Sequence, residues 1–204
     1  MQTDIKRGMR LRNAFNKETF VFSGPVDDPG VARFGVVLEE GGSGGGNALE
    51  HVHPGADEHF TVKSGRIRIV IDGREQIVES GGHAVVPRGK PHFFANAGAG
   101  VAELEVEFKP AQQQLRFFAN FASLAAHRTA WFSSKGDAHV LLIALVLHTY
   151  RDHLYLAGPP IFLQKWLFAI LAPLARLRGY RMAIEPVRLD PLHATRKNTL
   201  GDAA

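Results

Sequence analysis

Apolar and polar residues alternate through much of the first half of the chain, the period expected of half-buried strands. In Arg66-Ile67-Arg68-Ile69-Val70-Ile71, one face carries Ile67, Ile69 and Ile71 and the other Arg66, Arg68 and Val70. The dipeptide Asp72-Gly73 then favours a tight hairpin into Arg74-Glu75-Gln76-Ile77-Val78. Further strands are expected over 18–24, 32–40, Glu58–Lys63, Ala84–Val86, His92–Asn96 and Val101–Phe108. Turn-prone Pro25-Val26-Asp27-Asp28-Pro29-Gly30 separates the first two of these. Gly41-Gly42-Ser43-Gly44-Gly45-Gly46 reads as a mobile loop beside the strands or a lid over them. It lacks the Lys-Ser/Thr and the helix that a phosphate cradle needs. In the last strand Glu103, Glu105 and Glu107 share one face, as a solvated outer surface or a second metal site would arrange them.

After Lys109-Pro110 the period changes. Leu115, Phe118, Phe121, Leu124 and Ala125 recur at helical spacing within Gln112–Trp131. Asp137 is placed to cap a second helix over about 138–156, stopped by Gly158-Pro159-Pro160. A third runs from about Ile161 to Arg178, with Gly179 as its stop, and 181–204 reads as an irregular or frayed tail. The chain thus divides into a β unit over 1–110 and a helical extension with its tail over 111–204. Val140–Leu147 is wholly apolar, and so is Trp166–Ala175. Both are too short to cross a bilayer, which takes about 20 such residues. Three placements follow: packing against the β unit or a second copy, docking on an anionic membrane surface aided by Lys165, Arg176, Arg178 and Arg181, or a gate over a site.

Composition narrows the picture. A hydrophobic fraction of 45% excludes disorder for most of the length. With no cysteine there are neither disulfides nor thiolate metal sites. Met1–Arg7 lacks the apolar core of a secretory signal, so a cytoplasmic protein is expected. Residues 1–110 carry 13 Lys and Arg against 15 Asp and Glu, and residues 111–204 carry 11 against 5. The basic surplus is scattered, without interleaved stacking aromatics, so nucleic acid is not an expected partner.

The chemistry concentrates in His51-Val52-His53-Pro54-Gly55-Ala56-Asp57-Glu58 and, later, His92. Alternation sends His51 and His53 to one side of an extended strand. Pro54–Asp57 lets the chain reverse before Glu58, and His92 arrives on a later strand. Three imidazoles and a carboxylate suit one divalent transition metal, Fe, Mn, Ni or Zn. The same parity that turns Glu58 inward turns Phe60 and Val62 inward, and His92 takes Phe94 and Asn96 with it. These four residues are the expected lining of an apolar pocket for a small organic ligand. His83, which follows the Gly81-Gly82 turn, is remote in sequence from His92, and parity points His59 away. His127, His139, His148, His153 and His193 fall in the extension or tail, without metal-pair spacing.

These residues resemble the two motifs of the cupin superfamily. The first, Gly-x5-His-x-His-x(3,4)-Glu-x6-Gly, is matched by Gly45, His51, His53, Glu58 and Gly65. The second, Gly-x5-Pro-x-Gly-x2-His-x3-Asn, is matched by Gly81, Pro87, Gly89, His92 and Asn96. Gly82 stands where many relatives carry Asp. The resemblance covers about residues 18–108. It implies a mainly β fold, a double-stranded β-helix or jelly-roll barrel, here followed by the α-helical extension, and it implies a homodimer.

Two functions follow. One is a metal-dependent oxidoreductase, dioxygenase-like, acting on a small organic molecule, with Glu58 both ligand and acceptor of a substrate proton. The other is a non-catalytic small-ligand binding or sensor module whose metal organises the pocket. No Ser-His-Asp or cysteine nucleophile is present to support covalent catalysis.

Overall fold

The computed structural model describes residues 5–23, 28, 30–44 and 49–187. Most of the Pro25–Gly30 turn, Gly45 and Gly46 of the glycine-rich loop, His193 and the tail from 188 lie outside the described residues.

Two antiparallel sheets form the β unit, a jelly-roll barrel. The first orders β1 (Met9–Asn13), β2 (Glu18–Phe22), β3 (Ala32–Leu38), β11 (Ala102–Lys109), β6 (Asp57–Ser64) and β9 (His83–Val86) in space as named. In the second, β12 (Tyr155–Leu156), β5 (His51–Val52), β10 (His92–Asn96), β7 (Arg66–Ile71) and β8 (Arg74–Glu79) follow one another, and β4 (Ser43–Gly44) also pairs with β10. Inward residues of both sheets, among them Phe34, Val36, Ile67, Ile69, Phe94 and Leu104, close one core. Asp72 and Gly73 both take positive φ, 52° and 74°, the mirror-image hairpin turn that matches strand twist. Gly81 has φ 82°, so the turn opening the second motif forms with Gly82 following it.

The expected strands are present with ends shifted by a residue or two. Glu105 and Glu107 on the outer face of β11 meet Lys63, Arg33 and Lys109, so that row is a solvated, ion-paired surface. Three departures matter. β1 was not expected, although Met9-Arg10-Leu11 alternates. The first half of the glycine-rich loop is not free, since Ser43 and Gly44 pair with Ala95 and Phe94. The expected second helix is shorter than 138–156 and ends at Thr149, and its last residues turn back as β12 to pair with β5.

The extension supplies α1 (Gln114–His127), α2 (Val140–Thr149) and α3 (Ile161–Leu177). Leu115, Ala119 and Ala122 of α1 join the barrel core, while Phe117 and Leu124 join a second core with Leu142, Val146, Tyr150, Tyr155 and Phe168. His139, rather than Asp137, caps α2: its Nδ1 accepts from the Leu141 N–H at 3.2 Å, while Asp137 pairs with Ser133. At the end of α3 the Tyr180 N–H reaches the Ala175 carbonyl and the Gly179 N–H that of Arg176, a Schellman stop at the expected glycine. The start of the tail is pinned rather than frayed. Ile184 is buried in the barrel core, and the Ala183 and Ile184 N–H groups donate to Asn120 Oδ1 at 2.9 and 3.0 Å.

Candidate metal centre

The two sheets each contribute to the site. His51 on β5 faces His92 directly across the antiparallel pairing with β10, and their ring centroids lie 4.3 Å apart. His53 follows β5 by one residue, its ring 5.0 Å from His51 and 5.4 Å from His92. Glu58 comes from β6 in the other sheet, where Phe108 and Val86 flank it. One potential ligand atom from each of the four residues lies within 4.8 Å of the others, and all four side chains are buried. The reversal between His53 and Glu58 is held from outside. The Arg88 guanidinium forks onto the Asp57 carboxylate at 3.1 and 2.9 Å, and the Gly89 N–H donates to the His53 carbonyl at 2.9 Å. Arg88, through its side chain and then its N–H, holds Asp57 down at about 2.

Hydrogen bonds on the far side of each ring select the tautomer. Nδ1 of His51 faces the Leu49 carbonyl at 2.8 Å, Nδ1 of His92 faces the Lys90 carbonyl at 3.1 Å, and Nδ1 of His53 faces the His153 carbonyl. A carbonyl only accepts, so all three Nδ1 atoms carry hydrogen, and Nε2 of a neutral ring is left with its lone pair. Backbone carbonyls orient metal-binding imidazoles in this way. Nε2 of His53 is buried without a hydrogen-bond partner and lies 3.6 Å from Glu58 Oε2. A buried lone pair aimed at a carboxylate is a costly arrangement that a cation between them relieves. The residues therefore fit a divalent metal.

Electrostatics separate the three rings. Burial, then the charge of His92, pushes His51 down to about 3, and burial with its imidazole neighbours lowers His53 well below the ordinary value. Burial also acts to lower His92. The Glu58 carboxylate, 2.7 Å from its Nε2, outweighs that and holds it above the ordinary value.

Beside this cluster is a space of about 10 Å³, room for about one water or ion. It is lined by His51, Glu58, Phe94, Glu18, Phe20 and Phe118, among others. Next to it opens a cavity of about 90 Å³ that shares Glu18, Phe20, His51 and Phe118. Its other walls are Phe117, Phe121, Ile143, Val146, Leu147 and Leu154 of the extension, together with Leu49 and Leu156. The cavity is apolar, and the extension rather than the barrel builds most of it.

Of the expected lining, Phe94 borders the metal-side space. Phe60 packs edge-on against Phe94 at 4.8 Å and Val62 lies in the core. The Asn96 amide donates to the carbonyls of Leu38, Glu39 and Gly100, so that side chain ties loops together. His83 bonds Thr61 on the surface, away from the cluster. Sequence reasoning missed two participants. Glu18, buried between the two spaces, was legible from parity with Phe20 and Phe22. His153 acts through its backbone carbonyl, which no side-chain pattern reveals. Its own ring is fixed, Nδ1 against the Arg151 carbonyl and Nε2 accepting from the Gln113 N–H.

Residues 36–107 match the model of the family described as Cupin domain. A quercetin 2,3-dioxygenase of Bacillus subtilis (strain 168) is 36% identical over 61 residues, which are 30% of this chain and 18% of that protein. The chain thus spans less than a fifth of that relative's length. Among solved structures, an RmlC-like cupin from Shewanella frigidimarina is 14% identical with a TM-score of 0.45, covering 55% of this chain and 92% of its own. A recombinant oxalate oxidase in complex with glycolate is 24% identical with a TM-score of 0.43, covering 53% and 59%.

Proposed function

The chain belongs to the cupin superfamily, and from that premise we propose that it is a metal-dependent oxidoreductase, dioxygenase-like, acting on a small and mainly apolar organic molecule with an oxygen-donor head. The observation that carries this reading is the shared wall of the two spaces. His51, Glu18, Phe20 and Phe118 border both the metal-side space and the apolar cavity, so a ligand body in the cavity places its head at the ligand cluster. The 61-residue similarity to a dioxygenase adds support.

Held by His51, His53, Glu58 and His92, a divalent ion such as Fe, Mn, Ni or Zn would supply a Lewis-acidic centre with positions open to a donor oxygen and, for a redox metal, chemistry towards dioxygen. The protein's own groups do the rest. Neutral His51 and His53 present lone pairs without first losing protons. Glu58 accepts a proton from the ligand's hydroxyl or enol, while His92, its Nδ1 held by the Lys90 carbonyl, keeps Nε2 directed at the centre. Phe20, Phe94 and Phe118 exclude bulk water, which strengthens each charge interaction inside.

Elemental analysis of the purified protein tests the first half, with about one metal per chain expected and loss of that metal in His51→Ala and His92→Ala. Oxygen-electrode assays with apolar catechols, flavonols and β-diketones test the second half. Ligand binding with stoichiometric metal but no oxygen consumption would assign the chain to the non-catalytic binding modules instead.

A further inference from the structure

The outer face of α3 has no partner among the described residues. Phe162 is 69% exposed, Trp166 73% and Leu177 84%, and Leu163, Ile170 and Leu174 are also exposed. With Leu167, also exposed, these side chains span a continuous sector of roughly 140° at 100° per residue. The opposite side of the helix, Gln164, Phe168, Ala172 and Ala175, is buried against the rest of the extension. Scattered exposed hydrophobes are ordinary, whereas seven on one helix face mark an interaction surface.

Charge decides what covers it. Within Ile161–Leu177 there is no Asp or Glu. Lys165 and Arg176 fall on one edge of the apolar sector, and Arg178, just past the helix, falls on the other. Arg151 is close enough to both His148 and Lys165 to act on their titration, and Arg176 acts on His148, so that edge gathers several cations. Asp152, the carboxylate at hand, is engaged by Lys165 at 2.6 Å. A second copy laid on this face would bring cationic rims together with no carboxylate on the helix to answer them. An anionic surface with an apolar interior answers both features. The helix is shorter than a bilayer needs, and no described helix is long and apolar enough to cross one.

We propose that α3 docks the protein in the plane of an anionic lipid bilayer, with Phe162, Trp166, Ile170 and Leu177 among the acyl chains and Lys165, Arg176 and Arg178 at the headgroups. This surface is independent of the metal centre, so failure of either assignment leaves the other standing.

The test uses the full chain with sucrose-loaded vesicles of phosphatidylcholine alone or mixed with phosphatidylglycerol. Sedimentation with the mixed vesicles is expected, weakening as salt is raised, with little binding to phosphatidylcholine. In a Trp131→Phe background, lipids brominated along the acyl chain should quench Trp166. The double substitution Phe162→Ser with Trp166→Ser should weaken vesicle binding about a hundredfold or more, since two large side chains no longer leave water. Arg178→Ala should cost about fivefold, near the worth of one cation at an anionic surface. Both variants alter exposed positions and should keep the wild-type thermal transition and metal content. Protein left in the supernatant with every vesicle would overturn the proposal. So would a wild-type dimer in analytical ultracentrifugation that ignores vesicles and that the double substitution converts to monomer, which would make the face a contact between copies.

Discussion

Metal uptake at this centre should release about one proton, a number set by the site's electrostatics. In the metal-free protein His51 and His53 are held neutral by burial, His51 at about 3. His92 alone is raised, because Glu58 Oε2 lies 2.7 Å from its Nε2. Around pH 5 to 6, below the ordinary histidine value of about 6.5, the cluster therefore holds one proton, on His92. A metal at His92 Nε2 must expel it, so affinity should rise about tenfold per pH unit across that window, about 1.4 kcal/mol. Above the raised His92 value the dependence should flatten. Titration calorimetry with Zn²⁺ in two buffers of different ionisation enthalpy counts the proton directly. A count near three would show that His51 and His53 are protonated and that burial does not govern them. A count near zero would show that His92 holds no proton, and the argument from its contact with Glu58 would fail.

Three further outcomes are expected. The unfolded chain binds protons on His51 below about pH 6.5 while the fold keeps it neutral down to about 3, so metal-free stability should fall with pH in that window, by about 2 kcal/mol at pH 5 for this group. His92 has the opposite sign, its contribution being lost as pH rises through its raised value. Urea midpoints at pH 7 and pH 5 should accordingly differ less in His51→Asn than in the wild type. Ile143→Trp should fill much of the apolar cavity, raising KM for a cavity-filling ligand at least tenfold while metal content stays the same; an unchanged KM would place the ligand elsewhere. Asn120→Ala removes the acceptor of the Ala183 and Ile184 N–H groups, and leaving one buried and one partly buried donor unpaired should cost about 1 to 3 kcal/mol in urea unfolding.

What the chain discloses beforehand depends on how local the cause is. Strand alternation is local, so Glu58, Phe60 and Val62 could be turned inward together without knowing any neighbour. The meeting of His51, His53 and Glu58 was equally legible, because a histidine pair on one strand face and a turn before Glu58 are short-range facts. The end of α2 was not. Leu141 to Leu156 is apolar enough to continue a helix, and what stops it is tertiary: Tyr155 and Leu156 gain ladder partners in Val52 and His51. The pocket was placed on the barrel wall for the same reason, since parity reports which way a strand residue points but not which helix roofs it. Asn96 also faces the way parity directs, yet its amide is taken by the carbonyls of Leu38, Glu39 and Gly100. His153 marks the limit of side-chain reasoning, because its contribution is a carbonyl whose position follows from the turn after α2.

The extension is therefore part of the centre rather than an attachment to it. Its first contribution is orientation: the His153 carbonyl fixes the ring of His53, and the buried Gln114 amide donates to the same oxygen at 3.1 Å. Its second is register, since β12 flanks the strand carrying His51 and is itself clasped by Gln164 of α3, whose amide bonds both the N–H and the carbonyl of Leu156. Its third is the roof, where Ile143, Val146 and Leu147 of α2 and Phe117, Phe118 and Phe121 of α1 enclose the space beside His51. Four potential ligands on a barrel say little about what the centre takes, because one fold hosts many functions. Selectivity would then come from what surrounds them, and there the extension supplies most of the cavity wall. The same helix that holds Leu156 beside His51 through Gln164 on its inner side carries the apolar sector on its outer side, so one element ties the wall of the cavity to the outward face.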